Sequence, residues 1–153
     1  FEEKLDRGEP EGWFYVTRAE VIPDPSAPEG HHALVLTNRV PGKKCHVVQA
    51  FGVDGRMLNE LVLSVRLRTT RANGGGRQDT LPRIEVSFYD ENRGTIENVV
   101  MGPWKRRPLW GRQTLRISVP NQARLATVSI GMFGATGQFM VDQLEIQGMG
   151  KKR

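Results

Sequence analysis

Strict alternation of apolar and polar side chains restricts the fold of this chain more than any other feature. Over residues 60–69, Leu61, Leu63, Val65 and Leu67 fall on one side of an extended backbone and Ser64, Arg66 and Arg68 on the other. A strand with one buried face requires this, because successive side chains point to opposite sides. Residues 83–89 repeat the pattern with Ile84, Val86 and Phe88 against Glu85, Ser87 and Tyr89. Residues 113–119 set Leu115, Ile117 and Val119 against Thr114, Arg116 and Ser118. Less regular strands are predicted over 32–37, 44–51, 96–101, 124–133 and 138–146, with one or two more within 13–22. Turn residues interrupt them roughly every ten positions, as in sandwiches and barrels. Examples are Pro23-Asp24-Pro25, Pro41-Gly42, Asp54-Gly55, Asn92-Arg93-Gly94 and Pro120-Asn121. Helical periodicity is nearly absent. The expectation is an all-β, two-sheet antiparallel β-sandwich of jelly-roll type, with about eight to ten strands and little or no helix.

The 153 residues suffice for one core without a disulfide or metal. We expect one domain over residues 1–147, followed by a basic tail or linker at 148–153. No apolar run approaches the roughly 20 residues that span a bilayer as a helix. The single cysteine, Cys45, excludes an internal disulfide and a multi-cysteine metal site. The chain opens on Phe1, which leaves room for a removed signal peptide or an upstream region. The net charge of +5 is small and dispersed, and Lys105-Arg106-Arg107 with Lys151-Lys152-Arg153 supply six of the 22 Lys and Arg charges. The triple glycine Gly74-Gly75-Gly76 reads as a mobile surface loop over 70–81 and not as a phosphate cradle, because no Gly-Lys-Ser/Thr follows it.

The order of several short elements resembles the CenC-like carbohydrate-binding modules, jelly rolls of the galactose-binding-like group. The elements are Phe1-Glu2-Glu3 with Gly12-Trp13 close behind, His32-Ala33-Leu34-Val35-Leu36, Val47-Val48-Gln49 and Leu61 to Val65. Trp110 ahead of Leu115 to Pro120, and the closing run Phe139 to Ile146, complete the set. The resemblance implies a noncatalytic module that binds poly- or oligosaccharide as one part of a longer, secreted or periplasmic, glycan-active protein. It also implies a structural calcium held between the chain's first residues and its last strand, with Glu2 or Glu3 and Asp142 as ligands. Calcium takes six to eight oxygens, so carboxylates from both ends suit it. Asp142 is followed by Gln143 where that family usually has a second acid, and the other reading of Asp142 is an acceptor of backbone hydrogen bonds or a partner for arginine.

A sugar site on a sandwich needs flat apolar rings and planar polar groups for hydroxyls. Tyr89, Glu85 and Ser87, together with Arg66 and Arg68, lie on the solvent side of two strong strands, and Gln49 joins them if its strand is adjacent. If those strands share a sheet, the residues form one concave patch, and its arginines suit an acidic polysaccharide. The alternative is an ordinary solvated face with cross-strand Arg–Glu pairs. Trp104, between Gly102-Pro103 and Lys105-Arg106-Arg107-Pro108, has the flanks of an exposed loop and is the tryptophan best placed to stack on a sugar. The same ring could instead fold over the sandwich edge. For Trp13 and Trp110 the resemblance implies a structural role.

Catalytic sets are weak. The pairs His31-His32 and Cys45-His46 are sequence neighbours whose side chains diverge on a strand. Glu85 with Glu97 is the carboxylate pair to test first for a jelly-roll glycosidase. Only Tyr89 with Arg66 and Arg68 approaches the aromatic and basic interleaving of a single-strand nucleic-acid binder, which argues against that class. The chain therefore reads as a non-enzyme, and the other class open to it is a protein-interaction or self-association domain on the same fold.

Overall fold

The structure, a computed structural model, describes residue 1 and residues 8–151. Ten strands are formed among them: β1 Phe14–Thr17, β2 Ala19–Pro23, β3 His32–Asn38, β4 Lys44–Gly52, β5 Leu58–Asn73, β6 Arg83–Tyr89, β7 Thr95–Met101, β8 Gly111–Ser118, β9 Leu125–Phe133 and β10 Thr136–Gly150. A single 3-10 turn, Gln78–Thr80, interrupts them. They pair antiparallel into two five-stranded sheets, β1-β4-β9-β6-β7 and β2-β3-β10-β5-β8. From β3 to β6 and again from β7 to β10 each successive strand changes sheet, so the connections cross the ends of the sandwich.

The alternating residues dictate what lies between the sheets. Leu61, Leu63, Val65 and Leu67 of β5 meet Ile84, Val86 and Phe88 of β6, with Val128, Ile130 and Met132 of β9 and Phe139 and Val141 of β10 in the same buried cluster. Each such side chain contributes roughly 1.5–3 kcal/mol on full burial. The predicted strand within 13–22 is two short ones in different sheets. Arg18, at φ 51°, makes the corner between them. Its carbonyl accepts from the Thr37 N–H at 3.1 Å and its guanidinium donates to the Lys44 carbonyl at 3.0 Å, so one residue ties β3 to β4.

Two boundaries differ from the sequence expectation. β5 runs on to Asn73, so the glycine-rich loop is shorter than 70–81. β10 continues through Gly150, past the limit expected at 147, and Lys151 N–H donates to the Met57 carbonyl at 2.9 Å. A Cβ at Gly148 would stand 3.1 Å from a Leu58 methyl, which would have to shift by a few tenths of an ångström.

Candidate functional site

The outer face of the first sheet carries side chains in rows set by register. Phe14, Val48, Ser129, Glu85 and Val100 form one row across β1, β4, β9, β6 and β7. Ala50, Thr127, Ser87 and Asn98 form the next, and His46, Gly131 and Arg83 lie on the other side of the first. Strands stand about 4.8 Å apart. The middle of the face is therefore a shallow trough floored by Val48, Ala50, Gly131 and the hydroxyls of Ser87, Thr127 and Ser129. Phe14, 61% exposed, stands at one border. Tyr89 stands toward the other, its hydroxyl 3.5 Å from Thr127 Oγ1.

Phe133, also on this face, anchors the polar groups. The Arg83 guanidinium carbon lies 4.2 Å from its ring centroid and the His46 ring 6.2 Å away. Arg83 Nη1 donates to the Asp79 carbonyl, and Nε lies 3.7 Å from Glu85 Oε2, too far for a hydrogen bond. Arg83 Nε and His46 Nδ1 are buried polar atoms without a hydrogen-bond partner. Burial, assisted by Lys44, holds the His46 imidazole below its ordinary range, so it is neutral at pH 7. The face thus offers hydroxyls, a carboxylate, a guanidinium and a neutral imidazole beside exposed rings, a set able to hydrogen-bond a polyhydroxylated ligand while packing against its C–H surfaces.

Of the six residues expected to bind ligand, Tyr89 and Glu85 lie here. The expected single patch does not form: β5, which carries Arg66 and Arg68, belongs to the second sheet, so the core separates those arginines from Tyr89. Arg66 lines a small polar cleft with Ser64, Arg112 and Glu145. Gln49 pairs with Val128, a core residue, and so points to the inner side of β4, where it lines a cleft at the sandwich rim with Phe1, Trp13 and Leu144. Trp104 is not an exposed stacking residue. Its side chain folds back over the sandwich, 6% exposed, with its ring 5.9 Å from that of Phe139. Trp13 packs half-buried against the core, and Trp110 donates to Ser26 Oγ at 3.2 Å. Sequence reasoning does not single out His46, Arg83, Phe133, Phe14, Thr127 or Ser129 as ligand-facing. The signal for them is the alternation of β9, where Thr127, Ser129, Gly131 and Phe133 oppose Ala126, Val128, Ile130 and Met132.

The other chemical candidates divide as follows. Glu97 is exposed beside the register shift that follows Phe88, its partner in β6, three residues from Glu85, so the pairing does not set these two carboxylates opposite each other. Cys45 is fully buried and burial pushes its thiol up to about 11. Asp142 is also fully buried. Its Oδ2 accepts from the Glu29 N–H at 2.9 Å, while Oδ1 has no hydrogen-bond partner and lies 3.5 Å from the Phe1 nitrogen. Glu2 and Glu3 lie outside the described residues. No group of three or more His, Cys, Asp or Glu side chains suited to a metal occurs among the described residues.

In sequence the chain matches no family model and no curated protein. In structure it is similar to the enzymatically active domain of bacteriophage CBA120 tailspike protein 4, with a TM-score of 0.69 and 12% identity over 91% of this chain and 20% of that one. It is similar to a family 16 carbohydrate-binding module, with a TM-score of 0.63 and 12% identity over 90% and 91% of the two chains. A third likeness is to the C-terminal family 22 carbohydrate-binding module of Clostridium thermocellum xylanase 10B, with a TM-score of 0.55 and 18% identity over 93% and 88%. At these identities the likeness is one of fold. The two-sheet jelly roll read from the sequence is the architecture of this chain, and carbohydrate-binding modules are among its structural neighbours.

Proposed function

We propose that this chain is a noncatalytic carbohydrate-binding module, of the CenC-like kind its sequence elements resemble, and that it takes a poly- or oligosaccharide along the outer face of the first sheet. The trough carries this reading. Three hydroxyls and Glu85 line a floor of small side chains between Phe14 and Tyr89, and a sugar chain presents hydroxyls and flat C–H faces in turn. Such a module works as one part of a longer secreted or periplasmic protein.

Affinity gel electrophoresis against soluble xylan, β-glucan and galactan tests it. At least one polysaccharide should retard the chain, and Tyr89→Ala and Glu85→Ala should each weaken binding about tenfold, with melting little changed because both side chains are part-exposed. No retardation together with concentration-dependent self-association in sedimentation would replace this reading with the interaction domain. Hydrolysis of a retained glycan would revive the enzyme.

A structural calcium belongs to the same proposal. Asp142 Oδ1, a buried carboxylate oxygen without a hydrogen bond, is the donor that fits, and Glu2 or Glu3 would complete the set with it. Chelation should then lower the melting temperature, since a cation bound only to the native state at a hundredfold excess over its Kd contributes about 2.7 kcal/mol. An unchanged melting temperature in EDTA removes calcium from the proposal.

A further inference from the structure

A further cleft, of about 640 Å³, opens between the end of β5 and the segment 102–110 that precedes β8. Its size lies within the ~300–1,000 Å³ of small-ligand sites. Arg68, Arg71, Lys105, Arg106 and Arg107 line it, with Pro108 and small neutral residues and with no carboxylate or aromatic side chain. Among the described residues none of these five cations is ion-paired, whereas Arg56, Arg77, Arg83, Arg116 and Arg124 all have carboxylates within 4.0 Å. The neighbouring carboxylate of Asp24 attracts Arg68 without an ion-pair contact, and its Oδ1 accepts from the Ser26 N–H and hydroxyl at 2.8 and 2.6 Å.

The basic segment is held in place. The Trp104 ring is sunk beside Phe139, and the Trp104 N–H donates to the Pro82 carbonyl at 2.9 Å. The buried Thr69 hydroxyl donates to the Lys105 carbonyl at 3.3 Å and accepts the Arg107 N–H at 3.0 Å. The Thr69 N–H donates to the Arg107 carbonyl at 2.7 Å. On the other wall, Arg71 breaks the alternation of β5 at φ 54°, opposite Gly137 at φ 119°. A Cβ on Gly137 would stand 2.6 Å from the Arg71 carbonyl oxygen, so the irregular pairing requires glycine there. Such departures re-aim a side chain, and strained residues of this sort cluster at ligand sites. Arg68 Nε, buried and without a hydrogen-bond partner, completes the set.

We propose that this cleft binds the carboxylate or sulfate groups of an acidic polysaccharide, independently of the trough on the first sheet. Like charges fixed together focus a positive potential that an oxyanion relieves, and guanidinium forks hydrogen-bond such groups bidentately. The absence of an aromatic platform in the lining disfavours single-stranded nucleic acid, and the cleft admits a sugar-sized group rather than a duplex. The proposal rests on the reading of the chain as a glycan-binding module.

The test uses the whole chain with polygalacturonate as the carboxylate probe and dextran sulfate as the sulfate probe. Lys105→Gln with Arg106→Gln should weaken binding of at least one polyanion about a hundredfold, roughly tenfold for each charge-assisted hydrogen bond removed. Arg112→Gln with Arg116→Gln, which removes the same charge from the outer face of β8, should weaken it less than about threefold. Tyr89→Ala should leave polyanion binding intact and reduce only neutral-glycan binding. Equal loss from the two double variants, tighter binding of single-stranded or duplex DNA than of either polyanion, or no polyanion binding at all overturns the proposal. Polyanion binding without neutral-glycan binding sinks the trough and leaves the cleft standing; the reverse sinks the cleft alone.

Discussion

Trp104→Ala is expected to lower the melting temperature by roughly 10 °C, following a loss of about 3–5 kcal/mol for a buried tryptophan in a domain of this size. The ring is sunk against Phe139, and its removal leaves a void at the end of the sandwich where the segment 102–110 crosses. The neighbouring cations lose their anchor with it, so polyanion binding should fall even below the variant's melting transition. Trp104→Phe, which refills much of the void, should recover over half of the lost stability. Differential scanning calorimetry decides the matter. A Trp104→Ala protein that melts like the parent but no longer binds glycan would return this ring to the ligand surface that its loop-like flanks suggest.

Gly131→Ala should cost about 1–3 kcal/mol, in the range of overpacked interiors, although it adds only one methyl. An added Cβ would stand 2.5 Å from the Cys45 carbonyl oxygen and 2.8 Å from the His46 Cβ. β4 cannot yield at one residue without losing register with β9. The same displacement moves His46 and Ala50 relative to Ser129 and Thr127, so the variant should lose neutral-glycan affinity along with stability. Chemical denaturation measures the first and gel retardation the second. An unchanged denaturation midpoint would show that the seam between β4 and β9 is looser than its geometry.

Alternation makes the buried and exposed sides of β5, β6 and β8 legible, because each side chain's face is a local property of its own strand. Sheet membership is not local. β5 and β6 follow one another along the chain but enter different sheets, and that step separates Arg66 and Arg68 from Glu85 and Tyr89. The burial of Trp104 is hidden for a similar reason. Proline, glycine and three cations around it describe a loop correctly, but only the return of that loop across the open end of the sandwich decides which of its side chains meets Phe139. Phe133 does not stand out as a face residue because β9 reads as the less regular kind of strand, its outward positions filled by small residues and a glycine. The end of β10 is hard to place because glycine weakens a strand on average, while pairing with β5 carries the strand on through Gly148 and Gly150.

Cys45 gives the molecule a built-in reporter. It is the chain's one thiol, and it sits on β4 directly across from Met132, one position from the close approach at Gly131. Fully buried between the sheets, with its ionisation pushed up to about 11, it is closed to alkylating reagents while the core stays shut. Each modification event therefore records an opening that uncovers the inner face of β4. When reclosing is fast relative to alkylation, the labelling rate measures the free energy of that opening, without a tag or a known ligand.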